Sequence, residues 1–238
     1  KRNDKSHIKD LKDNNFENID LVIANFYPFE KILNENKSHN KLVENIDIGG
    51  PTMVRAAAKN YNDVVIITST EQYSELINQL KINKGSTTLE FRKKMSQFAF
   101  TETAYYDSVI SSYFNKISKI SFPHKKIIHG NLIEKLRYGE NPHQNSSLYI
   151  SDLYKDSLGL KQISGKGLSY NNYNDIFAGL DILFSEKKIP TTVIVKHANP
   201  CGVASNKSPF KSFKDSQLSD PISAFGGVVA CNFKINIG

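Results

Sequence analysis

The 238 residues, 39% hydrophobic and 11% aromatic, suffice for one large domain or two ordinary ones with buried cores. The net charge of +7 comes from dispersed lysines with no block of five or six basic residues, and no RNP-like, zinc-finger or basic-zipper pattern accompanies it, so a nucleic-acid module has only charge in its favour. No apolar run reaches the ~18–20 residues of a membrane span, Lys1-Arg2-Asn3-Asp4-Lys5 leads into no apolar secretory segment, and the two cysteines, Cys201 and Cys231, lack metal-ligand spacing and suit a reducing cytosol.

Residues 1–18 are polar and helix-compatible, and Ile19 to Ala24 reads as a buried strand. It stops at Asn25-Phe26-Tyr27-Pro28-Phe29, where Pro28 forbids further ladder pairing. A helical stretch follows to about Val43, then a turn over Asn45 to Thr52 and a helix from Met53 to Lys59. Asp63 to Thr68 is a second β-branched strand, followed by a helix near Glu71–Lys81. Thr87-Thr88-Leu89-Glu90 has capping-box spacing and opens a long helix fading near Lys116. Phe91, Met95, Phe98, Glu102 and Tyr105 fall near helical spacing and form its expected core face. Ser118 to Lys126, with Pro123, reads as a linker. Strands alternating with helices predict an α/β layer fold with a mostly parallel sheet.

A second unit follows. Leu136 to Gln144 and Gly165 to Asn172 are turn-rich stretches with more special residues than a filler loop needs. A helix is expected from Asn172 to Ser185, an apolar strand from Thr191 to Val195, and a strand from Val228 to Phe233 after Asp220 to Gly227. Lys196-His197 stands at the C-terminal end of the Thr191–Val195 strand, the edge where open α/β sheets bind ligands.

Lys196-His197 is the strongest chemical signal: a cation beside a potential base. Adjacent strand residues face opposite ways, so both reach one ligand only if the chain turns there. Ala198-Asn199-Pro200-Cys201-Gly202 is expected to supply that turn. Pro200-Cys201 invites comparison with zinc deaminases, whose pattern is His-x-Glu and then Pro-Cys-x-x-Cys. Asn199 occupies the Glu place and Ala204 that of the second Cys, so no zinc or other metal is expected.

Asp47-Ile48-Gly49-Gly50-Pro51, with Arg55 and Lys59 one turn apart on the following helix, is the second candidate. Gly49 and Gly50 let backbone N–H groups approach an anion at a helix start. An ordinary strand–turn–helix joint with two solvated cations accounts for these residues equally well. Tyr27 is expected to meet Asp47 and Lys59 at one sheet edge, giving phenol, carboxylate and ammonium for acid/base work. Arg137 and Tyr138 suit a phosphate. Asn171 and Asn172 suit ring or amide edges, or simply turn chemistry. Phe225-Gly226-Gly227 suits an aromatic shelf beside a close backbone approach, or a strand-entry turn.

Taken together, Asn25 to Phe29, Asn45 to Thr52, Arg55 to Asn60, Leu136 to Gln144, Leu168 to Asn172, Lys196 to Gly202 and Asp220 to Gly227 resemble, in order, the bifunctional purine-biosynthesis family that performs the last two steps to inosine monophosphate (IMP). The resemblance implies that residues 1–118 belong to an IMP cyclohydrolase domain with a methylglyoxal-synthase-like fold. Residues 119–238 would open a formyltransferase domain related to cytidine deaminases. It implies formyl transfer from the cosubstrate 10-formyltetrahydrofolate to aminoimidazole carboxamide ribonucleotide (AICAR), giving its formyl derivative (FAICAR), then cyclisation to IMP. By the same resemblance Lys59 is the cyclohydrolase acid/base, with Tyr27 and Asp47 lining its site and Asn25, Asp47 and Ile48 at nucleotide contacts. His197 matches the formyl-transfer proton acceptor and Lys196 the transition-state stabiliser, while Arg137, Tyr138, Asn172, Phe225 and Gly226 match nucleotide positions. It further implies a cytosolic homodimer acting on small nucleotides, with neither nucleic acid nor membrane as partner. A Lys-Thr-Leu-His-Pro type segment is expected before Lys1 and the folate-binding region after Gly238, so this stretch is expected to be an internal fragment, inactive alone.

Overall fold

A computed structural model describes residues 2–35, 37–151, 158–185 and 189–235. They fall into two compact units, one on residues 2–129 with Ser151 and one on Gly130–Ile150 with 158–235.

In the first unit α1 (Lys5–Asp13) starts at Asp4, whose carboxylate accepts the Ser6 N–H at 3.0 Å. Strand β1 (Leu21–Ile23) runs parallel to β2 (Val65–Ile67), in register Leu21 with Val65. The expected buried strand is only half so: Leu21 and Ile23 are 37% and 49% exposed, while Val22 and Ala24 turn toward the core. The single helical stretch expected to Val43 is two short helices, α2 (Phe29–Asn34) and α3 (His39–Glu44); Asn36 between them lies outside the described residues. Helix α4 (Gly49–Lys59) starts at Gly49 rather than Met53, with Pro51 in its first turn, where a missing N–H breaks no helical bond. A 3-10 turn (Thr70–Gln72) leads into α5 (Tyr73–Ile82).

The long helix α6 (Leu89–Ile117) is capped by Thr88, whose Oγ1 accepts the Phe91 N–H at 3.1 Å. Thr87, the cap expected from Glu90, serves Arg92 instead. The Arg92 guanidinium donates to the carbonyls of Thr87 (2.6 Å), Tyr61 (2.8 Å) and Asn62 (2.8 Å), joining the start of α6 to the turn after α4. The buried stripe runs Phe91, Met95, Ala99, then Tyr106, Val109 and Tyr113. Phe98, expected in the core, is 40% exposed. Met95 has helical neighbours at both +3 and +4, and the small Ala99 takes the inward place. That choice lets α6 approach α4 closely enough for Ser96 Oγ to donate to the Ala58 carbonyl at 2.8 Å.

The second unit opens with an antiparallel hairpin, β3 (Asn131–Lys135) and β4 (Ser147–Ile150). Helix α7 (Tyr170–Leu183) follows a reciprocal capping box between Ser169 and Asn172. Strands β5 (Thr191–Lys196) and β6 (Asn199–Ser205), helix α8 (Pro209–Ser219) and β7 (Val228–Cys231) complete it. The sheet order is β6-β5-β7, with β5 antiparallel to both neighbours. Its strand alternation makes three layers: Val193 and Val195 pack toward α7, while Thr192 turns to Ser212 of α8 at 2.9 Å between hydroxyls.

Gly202 carries the α8 contact. A Cβ there would overlap the Ser216 carbonyl oxygen and sit 2.8 Å from its carbon. The edge position of β6 tolerates Pro200. A bulge leaves Cys201 unpaired between Pro200, opposite Val195, and Gly202, opposite Ile194.

Candidate active site

In the first unit the loops leaving the carboxyl ends of β1 and β2 meet. Asn25 donates its amide N–H to the Thr68 carbonyl at 3.1 Å, clasping the two strand ends. Asp47 is the hub beside them: one carboxylate oxygen accepts the Gly50 N–H at 2.8 Å and the other the Tyr27 N–H at 3.3 Å. Its own N–H donates to the Tyr106 hydroxyl at 2.9 Å. Burial, and secondarily the nearby Asp47 charge, raise the Tyr106 phenol above its ordinary value against the lowering effect of that bond. A Cβ at Gly50 would sit 2.5 Å from Asp47 Oδ2, so a larger residue there must displace the carboxylate that accepts the Gly50 N–H. Ile48 is 74% exposed, and nothing would crowd a Cβ at Gly49. The start of α4 thus presents an open backbone surface with the hydroxyphenyl of Tyr27, 57% exposed, at the neighbouring strand end.

Lys59 is not brought to this corner. It is the last residue of α4, separated from Gly49 by about 15 Å of helical rise at 1.5 Å per residue. It is exposed and makes no ion pair among the described residues. Arg55, one turn earlier, lies over the Phe100 ring at 5.7 Å from its centroid. The helix axis separates what the sequence reading gathered into one cleft.

A cavity of about 300 Å³ opens at the same carboxyl edge, lined by Asn25, Tyr27, Glu30, Thr68, Glu102 and Tyr105, among others. Desolvation first, and the Glu30 charge second, raise the Glu102 carboxyl above its ordinary value of 4.5. Sequence reasoning placed Glu102 on a core face; nothing local announces a carboxyl pair 72 positions apart. With its folded value raised, the native state holds more protons than the unfolded chain. Stability is therefore expected to fall as pH rises from 4.5 through the raised value, then level off. Glu102→Gln should flatten that slope in urea unfolding between about pH 4 and pH 8. The side chain is substantially exposed, so solvent screening keeps the effect small.

In the second unit the turn is not where it was expected. Ala198 to Gly202 is no loop: Asn199 already belongs to β6 and pairs with Lys196. His197 and Ala198 form a two-residue hairpin loop, with φ of 53° and 58°. Positive φ at both central residues is the type I′ pattern, which suits the strand twist but favours Asn-Gly. Histidine and alanine in that region cost about 1–2 kcal/mol each. The site is therefore a hairpin tip, and the rule for parallel-strand edges does not apply to it, because this sheet is antiparallel.

The tip is held from two sides. Lys196 Nζ donates to the Phe225 carbonyl at 3.1 Å, leaving two ammonium protons for other acceptors. The Ala198 N–H donates to Asp175 Oδ1 of α7 at 2.7 Å. Phe225 is 84% exposed, Gly226 has φ of 76°, and a Cβ at Gly227 would sit 2.9 Å from the Val195 carbonyl. An exposed aromatic residue and a close backbone approach thus flank the Lys196 contact. Asp220 caps this turn through the Ser223 N–H at 3.0 Å, and its bonds to Ser223 hold its carboxyl below the ordinary range.

Arg137 lies over the Tyr138 ring, 4.8 Å from its centroid, and donates to the Tyr138 hydroxyl at 3.1 Å. Two backbone bonds tie this pair to the start of α7: Arg137 N–H to the Leu168 carbonyl at 3.1 Å, and Tyr170 N–H to the Tyr138 carbonyl at 3.2 Å. The two asparagines do turn chemistry. Asn171 donates to the Glu140 carbonyl at 3.0 Å, and Asn172 Oδ1 accepts the Ser169 N–H at 3.0 Å.

The geometry thus describes a mixed α/β chain in which each of two units presents its own polar, loop-built corner. The family described as the AICARFT/IMPCHase bienzyme matches residues 57–237, and the chain belongs to that family. The bifunctional purine biosynthesis protein PurH of Bradyrhizobium diazoefficiens is 41% identical over 234 residues, covering 97% of this chain and 44% of that protein. The Persephonella marina protein of the same name is 43% identical over 241 residues, covering 99% of this chain and 46% of its own length. The chain therefore spans less than half the length of these relatives. The solved structure described as the crystal structure of ForH aligns at a TM-score of 0.42 and 24% identity, over 48% of this chain and 59% of that one.

Proposed function

We propose that the full-length protein carries out formyl transfer from 10-formyltetrahydrofolate to AICAR and the cyclisation of the product FAICAR to IMP with loss of water. The observation that carries this reading is the Lys196-His197 hairpin tip, strained at two residues and docked on the Phe225–Gly226 turn, within a chain of this family. Residues 1–118 are assigned to the cyclohydrolase domain, methylglyoxal-synthase-like in fold, and 119–238 to the cytidine-deaminase-like formyltransferase domain. The protein acts as a cytosolic homodimer on nucleotide substrates, without zinc.

For formyl transfer, the exocyclic amine of AICAR is conjugated with its ring and is a poor nucleophile. As its nitrogen attacks the formyl carbon, His197 takes the amine proton. Lys196 stabilises the oxyanion of the tetrahedral adduct or protonates the departing folate nitrogen, so the C–N bond to folate breaks as the adduct collapses and the formyl C=O re-forms. Arg137 and Tyr138 supply phosphate contacts, and Asn172, Phe225 and Gly226 line the nucleotide. For cyclisation, the carboxamide nitrogen attacks the new formyl group of the same molecule, so positioning does most of the work. Asn25, Ile48 and Gly49 hold the nucleotide at the exposed start of α4. Asp47 fixes that backbone and Tyr27 moves protons there, while the acid/base role that the family pattern gives Lys59 would be exercised from the far end of α4.

The test is a pair of assays on full-length protein: release of tetrahydrofolate from 10-formyltetrahydrofolate with AICAR, and conversion of FAICAR to IMP. Absence of both reactions in folded protein would sink the proposal. Lys59→Ala is expected to lower cyclisation about 100-fold, the low end of an acid/base contribution, and to spare formyl transfer. An unchanged cyclisation rate would remove Lys59 from the site and leave the Tyr27–Asp47 corner to act without it.

A further inference from the structure

The hairpin tip that carries His197 is built from residues that disfavour its conformation. His197 and Ala198 both stand at positive φ, and Ala198 has no side-chain oxygen or amide to stabilise it there. Such a turn persists only when its surroundings over-determine it. Among the described residues two side chains reach its backbone: the neighbouring Asn199 amide donates to the His197 carbonyl at 2.8 Å, and from α7, distant in sequence, Asp175 Oδ1 accepts the Ala198 N–H at 2.7 Å. The acceptor is a carboxylate, so the bond is charge-assisted and of the short, strong class. The backbone of Asp175 is held by the helix. It lies on α7 three residues after Asn172, on the same helix face, one turn past the Ser169–Asn172 capping box that anchors the helix start. Nothing in the local sequence distinguishes it from a helix-surface acid.

We infer that Asp175 is the positioning residue for His197. Its carboxylate holds the strained turn so that the imidazole is presented at one fixed height above the sheet, beside Lys196. This rests on the formyl-transfer reading given above. Asp175 acts through the turn backbone and touches no reacting atom. A base displaced by about 1 Å loses much of its effect, so the clamp is worth a measurable share of the rate.

The experiment uses full-length enzyme carrying Asp175→Ala, Asp175→Asn, Asp175→Ala with Ala198→Gly, or His197→Ala. Asp175→Ala is expected to lower kcat for formyl transfer about 10- to 100-fold, the range of a supporting-shell loss. The KM for AICAR should change less than about threefold and cyclisation should stay intact, since binding and the other site are untouched. Asp175→Asn keeps an acceptor oxygen and should retain activity within about threefold. Adding Ala198→Gly to Asp175→Ala should recover most of the loss, because glycine adopts positive φ without the clamp. A purely structural role gives a different pattern: activity falls in step with the folded fraction, and Ala198→Gly does not restore kcat. That pattern, or wild-type kcat in Asp175→Ala, overturns the inference. His197→Ala separates the two levels. If it keeps formyl transfer, the base assignment fails and the clamp with it; if it loses formyl transfer while Asp175→Ala does not, only the clamp falls.

Discussion

In the full-length protein, His197→Ala is expected to lower formyl transfer by about 10²- to 10⁴-fold, the usual contribution of a positioned general base, and to leave cyclisation unchanged. The magnitude follows from what the imidazole alone supplies. Lys196 keeps its place through the Phe225 carbonyl, whatever stands at 197. Electrostatic stabilisation of the oxyanion therefore survives, and a residual rate above the uncatalysed reaction should remain. Alanine at 197 meets the same positive φ as histidine, so the turn changes little. The specificity follows from placement: His197 belongs to the second unit, whereas Tyr27, Asp47 and Lys59 belong to the first. Single-turnover formyl transfer and steady-state cyclisation on one preparation give both numbers. Equal loss of the two activities would contradict separate sites.

Gly202→Ala is expected to destabilise the second unit by about 3 kcal/mol, the upper part of the range for overpacked cores. The added methyl would collide with the Ser216 carbonyl, and backbone cannot swing aside as a flexible side chain can. Relief requires α8 to lift from β6, which disturbs the buried Thr192–Ser212 hydroxyl pair and the Ser212 bond to the Ala204 carbonyl at 3.0 Å. Urea unfolding should show a lower midpoint with little change in slope. Gly167→Ala is the control: nothing lies within 4 Å of a Cβ there, and the residue is exposed. Its effect should stay within about 0.5 kcal/mol. A Gly202→Ala protein as stable as this control would mean that β6 and α8 do not pack as described.

Much of the chemistry was legible in the residues themselves. Lys196, His197, Phe225 and Gly226 stand out in the sequence by residue type and spacing, and the tertiary structure joins Lys196 to Phe225 through one hydrogen bond. The first-unit corner was legible in part. Asp47 meets Tyr27, but through the Tyr27 backbone N–H rather than the phenol, and Lys59 lies at the other end of α4. Helical rise, which a list of residues in one short segment conceals, makes the difference.

Composition, periodicity and turn residues by themselves determined the mixed α/β character, most of the strands and helices, and the residues that mark the Lys196-His197 segment as chemical. These depend on interactions within a few positions, where backbone sterics and side-chain spacing decide the outcome. The antiparallel sheet of the second unit, the strained loop at His197-Ala198 and the Asp175 contact were decided only by tertiary structure. Their cause is nonlocal. The sequence predicts a turn over Ala198 to Gly202 and no strand there, but pairing of Lys196 with Asn199 makes β6 of that stretch and draws the reversal back onto His197 and Ala198. A carboxylate 23 positions away then accepts the N–H that this reversal leaves without a ladder partner.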